Sequence, residues 1–302
     1  MKVKIDCAVK CDDVAGETPI WSPEEKALYW IDVVTPRIHR FEPANGSFKT
    51  IDLHETIGAI GLRSPGKLIA AMRKGFYFVD FNAGKVEHIH DPEPTLPDNT
   101  LNDGRCDRQG RFWSGSGWYG TDDVASEATR LPTEPTAALY RMDHDRSVHK
   151  ILDGIKETNT ICWSPDNKIM YVGDSGIGII YAYDFDVKNG SISNRREFAR
   201  TKTGELFHDG SAIDADGYLW TAIFNGWCIR RYAPDGTVER EIELPVQRPT
   251  SCGFGGPNMS TLYVTTATWT LSDEEIRAQP LAGSLLSFET GVRGLPETPF
   301  KG

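Results

Sequence analysis

Short apolar runs separated by polar turns repeat along the chain. In residues 207–220, Ala212 and Ile213 begin one run, the D-A-D-G turn of Asp214 to Gly217 interrupts it, and Tyr218, Leu219 and Trp220 form the next. Asp-Gly between two such runs signals a hairpin, because glycine tolerates the positive φ that tight turns need. Five other stretches share the layout: 21–30, 62–69, 106–113, 163–171 and 254–263, and Trp-Ser-Pro-acid occurs at both 21–24 and 163–166. The six copies lie about 40 to 57 residues apart, within the range of propeller blades. Strand-like runs also lie between the copies, at 37–41, 75–80, 138–142, 179–183, 228–232 and 284–288, each followed by Asp, Asn, Gly or Pro. The pattern predicts a single all-β domain over residues 1–302, a six-bladed β-propeller of four short strands per blade. A strand over residues 3–9 is expected to pair into the last blade and close the ring. The helical exception is a short turn at 272–277, with Ser272 as its cap. Two Pro- and acid-containing stretches, 91–99 and 121–136, read as long loops flanking the third copy, where functional rims are found.

Bulk properties narrow the function. A formal net charge of -10 argues against nucleic acid or an acidic membrane face as a partner. No window approaches the length of a membrane span, and the N-terminal residues lack the apolar core of a signal peptide, so a cytoplasmic protein is expected. The six cysteines form no C-x-x-C pair and read as buried free thiols. Oligomeric state is not legible.

Radial repetition turns sequence register into geometry. Four positions before the aligned strand residues stand Glu17, Gly58, Asn102, Asn159, Asp209 and Thr250. In a propeller these form a ring about the central channel. Two carboxylates and carboxamide oxygens there suit a hard divalent cation, whose charge would neutralise Glu17 and Asp209. Taken singly, Asp and Asn before strands are ordinary turn formers; the shared register is what makes a site.

Several motifs in order carry a family resemblance. They are Gly16-Glu17-Thr18-Pro19 with Trp21-Ser-Pro; Asn102-Asp103-Gly104 with Asp107 and Gly110-Arg-Phe-Trp113; Asn159 with Trp163-Ser-Pro-Asp; and Asp209-Gly210 with Asp214 to Trp220. The chain resembles the SMP-30/regucalcin and gluconolactonase family over about residues 17–263. That resemblance implies a six-bladed propeller, one divalent metal ion (Ca, Zn, Mn or Fe) at the channel mouth, and hydrolysis of sugar-acid lactones. It implies metal-ligand positions for Glu17, Asn159 and Asp209, and substrate-side positions for Asn102 and Asp103. Where the family often has Arg, two residues before the Asn, this chain has Thr100, which removes a cationic clamp. His208 stands where the family often has Pro. The substrate end therefore reads as remodelled, with His208, Trp118, Tyr119 and Arg105 as candidate contacts.

The expected chemistry is attack of water on a cyclic ester, with the metal as Lewis acid and Asp209 as base. A metal-dependent esterase or phosphotriesterase on the same site is the alternative, as is a non-catalytic metal-binding propeller. Gly173-Asp-Ser-Gly176 lacks a partner base, and the histidines lack zinc-protease spacing.

Overall fold

The computed structural model describes residues 3–120, 134–202 and 204–302. Its strands form six four-stranded antiparallel sheets. Blades 1 to 5 use consecutive strands, within residues 16–52, 57–90, 99–155, 158–200 and 207–243. Blade 6 takes three strands from residues 249–289 and its fourth from Asp6–Val9, which pairs with Leu285–Glu289. The chain start thus closes the ring as the pattern implies, with a shorter strand than residues 3–9. The chain is the all-β six-bladed propeller that the periodicity predicts.

Burial falls from the axis outward. The innermost strands Thr158–Trp163 and Pro249–Gly255 are buried at every residue, whereas the outermost strand Lys85–His90 has no buried residue. Inner strands have neighbours on both faces, so they tolerate continuous apolar and small residues. Outer strands face water, so their sequences turn polar.

Three blades share a device between their sheets. Trp30, Trp113 and Trp220 are fully buried, and each donates its indole N–H to a buried aspartate, Asp13, Asp107 and Asp214, at 2.9 Å. Asp107 and Asp214 also accept backbone N–H groups from the turns they begin, at Gln109 and Arg111 and at Asp216 and Tyr218. Gly110 and Gly217 in those turns have φ of 85° and 87°. The aspartate therefore shapes the hairpin and satisfies the tryptophan behind it.

The helix Asp273–Ala278 is closed by a capping box between Ser272 and Glu275. Residues 91–98 form the loop expected before blade 3, whereas most of the second expected loop, 121–133, lies outside the described residues. Among the described residues no helix is long and apolar enough to cross a membrane. The segment after the last strand crosses the turn end of the propeller. It bonds to Met259, Ala215, Gly110 and Leu62 in four different blades, at 2.7 to 3.0 Å. All six inner strands begin at the opposite end, where the ring residues stand.

Candidate functional site

Each ring residue enters an innermost strand beside a break in strand pairing. Register shifts follow Glu17 in blade 1, Leu101 in blade 3, Asn159 in blade 4 and His208 in blade 5. A bulge rotates the backbone and re-aims a side chain that a regular strand would send to one face. Thr18 and Thr160, the residues after Glu17 and Asn159, have φ of 48° and 54°. That left-handed backbone is uncommon for a β-branched residue. Cross-blade bonds hold it: Thr18 Oγ1 donates to Gly58 O at 3.4 Å, and Thr160 Oγ1 to Asp209 O at 2.6 Å.

The polar side chains then converge. Asn102 Nδ2 donates to Thr158 O at 3.0 Å and to Asn159 Oδ1 at 3.3 Å. Asn159 Nδ2 donates outward to Ser175 Oγ at 3.0 Å, which leaves its oxygen turned toward Asn102. The Glu17 and Asp209 carboxyls act on each other, and Thr18 N donates to Glu17 Oε2 at 3.2 Å. Burial first, then the charge of Asp103, pushes the Glu17 carboxyl up to about 8. Asp209 is raised well above the usual carboxylate range by burial, then by Glu17, Glu157 and Asp103. Carboxyls this close cannot all ionise without a compensating cation.

The donor set fits a hard divalent ion: two carboxylates and a carboxamide oxygen, all oxygen ligands. Glu17, Asn159 and Asp209 would hold it. Among the described residues no cluster of three His, Cys, Asp or Glu side chains has metal-holding geometry.

The substrate-side candidates separate. Asn102 lies in the network. Asp103 lies beside it, with Oδ1 accepting from Gly104 N at 2.8 Å and Oδ2 from Ile161 N at 3.1 Å, so it ties blade 3 to blade 4. Burial raises its pKa and Arg105 lowers it. Thr100 is buried, and its hydroxyl has no partner among the described residues. Trp118 is half-buried at the end of its strand, paired with Asn99. The single Tyr119 hydroxyl proton is shared between Asn102 Oδ1 at 2.7 Å and Glu157 Oε1 at 3.1 Å, which joins Tyr119 to the site.

Two candidates point elsewhere. His208 is fully buried, its Nε2 2.9 Å from the Tyr232 hydroxyl, and burial followed by Arg230 lowers its pKa to about 3. It neighbours Asp209 on the strand, so the pleat sends it between sheets and not into the channel. Arg105 donates to Cys162 Sγ at 3.1 Å and pairs with Glu297 at 3.6 Å, in a small cavity toward the turn end. The structure places both side chains in packing positions away from the ring residues. The sequence reading missed Glu157 and Ser175. Glu157 carried a usable signal: it stands two residues before Asn159, and side chains two apart on a strand share a face.

Comparisons with known proteins agree with the propeller fold and give the family. Residues 15–268 match the family model described as SMP-30/Gluconolactonase/LRE-like region. The chain is 35% identical to a 6-deoxy-6-sulfogluconolactonase of Pseudomonas putida, with both chains covered in full. It is 31% identical to regucalcin of Xenopus laevis over 99% of each chain. A solved regucalcin of Agrobacterium tumefaciens, described as a calcium-binding protein, superposes with a TM-score of 0.90 at 25% identity, over 99% of this chain and 98% of that one. With the propeller, the ordered motifs and full-length similarity all in agreement, the chain belongs to the SMP-30/gluconolactonase/LRE-like family.

Proposed function

We propose that this protein hydrolyses a sugar-acid lactone to the free aldonic acid, using one divalent metal ion held by Glu17, Asn159 and Asp209. The observation that carries the reading is the pairing of two raised carboxyls, Glu17 and Asp209, beside the Asn102–Asn159 amide pair at one end of the channel. Family membership and a relative named as a lactonase support the same chemistry. When bound, the ion would polarise the lactone carbonyl and offset the carboxylate charge.

The protein's own groups do the rest. Asp209 takes the proton from the attacking water as the new C–O bond forms. It returns that proton to the ring oxygen as the old C–O bond breaks. Asn102 and Asp103 orient the substrate's hydroxyls, and Tyr119 fixes the Asn102 carboxamide by its 2.7 Å hydrogen bond.

The test is a pH-indicator hydrolysis screen over aldonolactones, with Ca, Zn, Mn or Fe added, beside elemental analysis and chelation. The expected result is bound metal and chelator-sensitive lactone turnover. Parallel aryl ester and phosphotriester assays separate the alternative chemistry. Near-normal turnover by metal-loaded Asp209→Asn would refute the assigned base.

A further inference from the structure

Arg73, Lys156 and Arg248 stand toward the mouth end of the channel, in blades 2, 4 and 6 or just before them. Among the described residues none of the three has an ion-pair partner within 4.0 Å. Two of them are committed to the protein around them. Arg73 directs Nη2 to the backbone oxygens of Pro97 and Gly120. Lys156 lies along Gly176, where an added Cβ would come within 2.4 Å of the Lys156 Cβ, and its charge acts on Asp174.

Arg248 is placed differently. It stands two positions before Thr250, the ring residue of blade 6, and is only 9% exposed. Its Nε donates to Asn225 Oδ1 at 3.0 Å, and its Nη1 donates to Trp269 O and Thr270 Oγ1. All three acceptors are neutral, and Nη2 has no hydrogen-bond partner among the described residues. Asn225 follows the strand Leu219–Phe224 and Trp269 follows Thr261–Thr266, strands that run back toward the mouth. The guanidinium carbon is 5.4 Å from the centre of the Phe224 ring, and Phe224 pairs with Phe207, two positions before Asp209. Arg248 is thus fixed at the rim between blades 5 and 6.

A guanidinium stays protonated in proteins, so its need for an anion does not depend on the state of any carboxyl. Glu17, Asp103, Glu157 and Asp209 all lie beyond ion-pair distance of it. Glu275 acts on it from farther than 4.0 Å, and Ser272 holds that carboxyl in the capping box. A cation withdrawn from water without a counter-charge gains strongly from an oxyanion that reaches it. Its three existing bonds order the guanidinium beforehand, which lowers the cost of binding. Two strand residues rise roughly 7 Å. A hexonolactone with its carbonyl at the ring residues therefore brings its far carbon to the height of Arg248.

We infer that Arg248 is a specificity-determining residue: its guanidinium receives an oxyanion that the lactone carries at the end remote from the ester. This rests on the lactonase reading above.

The test compares glucono-1,4-lactone with glucaro-1,4-lactone, which carries a carboxylate in place of the terminal hydroxymethyl group. kcat/KM is measured for the metal-loaded wild type, Arg248→Gln, Arg248→Lys, Arg73→Gln and Lys156→Gln. The wild type should prefer the glucaro lactone by about tenfold or more, chiefly through KM, and added salt should weaken that preference. Arg248→Gln should lose the preference, and Arg248→Lys should keep part of it, because the charge remains while the planar fork is lost. Arg73→Gln and Lys156→Gln should leave the ratio as in the wild type. A wild type without the preference, or an Arg248→Gln that retains it, overturns the inference; so does a preference lost in Arg73→Gln or Lys156→Gln instead. Calorimetric titration of the same proteins with glucitol and glucitol 6-phosphate reads the anion preference without turnover, and thermal melting checks that each variant is folded. If the phosphate is favoured through Arg248 but no lactone is hydrolysed, the lactonase reading fails alone. If the phosphate gives no advantage, or Arg248→Gln keeps that advantage, the inference fails.

Discussion

The Thr160 hydroxyl donates to the main-chain oxygen of Asp209 at 2.6 Å, across the boundary between blades 4 and 5. This bond links the residue after one proposed metal ligand to the backbone of another. It also holds Thr160 at a φ of 54°, a conformation that costs on the order of 1–3 kcal/mol and persists only where the surroundings enforce it. The spacing between Asn159 and Asp209 is thus set by a bond between neighbouring blades.

Thr160→Val keeps the branched shape and removes the donor, leaving the Asp209 carbonyl without that partner. A stability loss of about 1–3 kcal/mol is expected, together with weaker metal retention on dialysis. Thr160→Ser should keep both near wild type. Calorimetric melting and metal content measure the two effects, and equal metal retention in Val and Ser variants would remove the positioning role.

Gly58 occupies the ring position of blade 2, and the reason is steric. A Cβ there would lie 2.0 Å from Leu101 O and 2.7 Å from Asn102 Cα. The obstacle is backbone, so blade 3 must shift. Gly58→Ala should cost about 1–3 kcal/mol and displace Asn102. Thermal unfolding should show the loss, and lactone KM should rise with it.

Asp214 serves the fold alone. It is fully buried, accepts from Trp220 Nε1 at 2.9 Å and pairs with Arg231 at 2.7 Å. Its removal leaves the Trp220 indole N–H and the Asp216 and Tyr218 backbone N–H groups without their acceptor, while Arg231 keeps Glu239 at 3.1 Å, so Asp214→Ala should destabilise by about 3–5 kcal/mol. Below its lowered melting temperature, kcat/KM should stay near wild type, because the turn lies at the far end from the ring. A selective loss of kcat with unchanged melting would contradict this division.

The thiols should divide by burial. Cys7 is exposed, whereas Cys106, Cys162, Cys228 and Cys252 are buried. Burial pushes Cys162 and Cys228 up to about 12 and raises Cys106 well above its usual value. Thiolate is the reactive form, so brief alkylation at pH 8 should label Cys7 first and leave these four unmodified. Intact-mass and peptide mapping would check this; early labelling of Cys162 would show that the Arg105 end of the channel opens. Cys7 departs from the expectation of uniformly buried thiols because the closing strand lies at the outer edge of blade 6.

The sequence by itself determined the architecture. Hairpin turns such as Asp214 to Gly217 act locally, and six repeats of the same local layout leave few ways to bury the apolar faces except as a ring. Register within the repeat also brought Glu17, Asn102, Asn159 and Asp209 to one end of the channel, because equivalent positions become neighbours under radial symmetry. Tertiary structure alone decided where the neighbouring side chains point. His208 adjoins Asp209 in sequence yet faces Tyr232 between sheets, since strand side chains alternate. Arg105 adjoins the Asn102-Asp103-Gly104 motif yet is drawn to Glu297, a partner 192 positions later that only the crossing C-terminal segment brings near. Glu157 and Tyr119 join the site through a hydrogen bond between blades. Bonds of that kind depend on bulges and on inter-blade packing, which have no periodic signature in the chain.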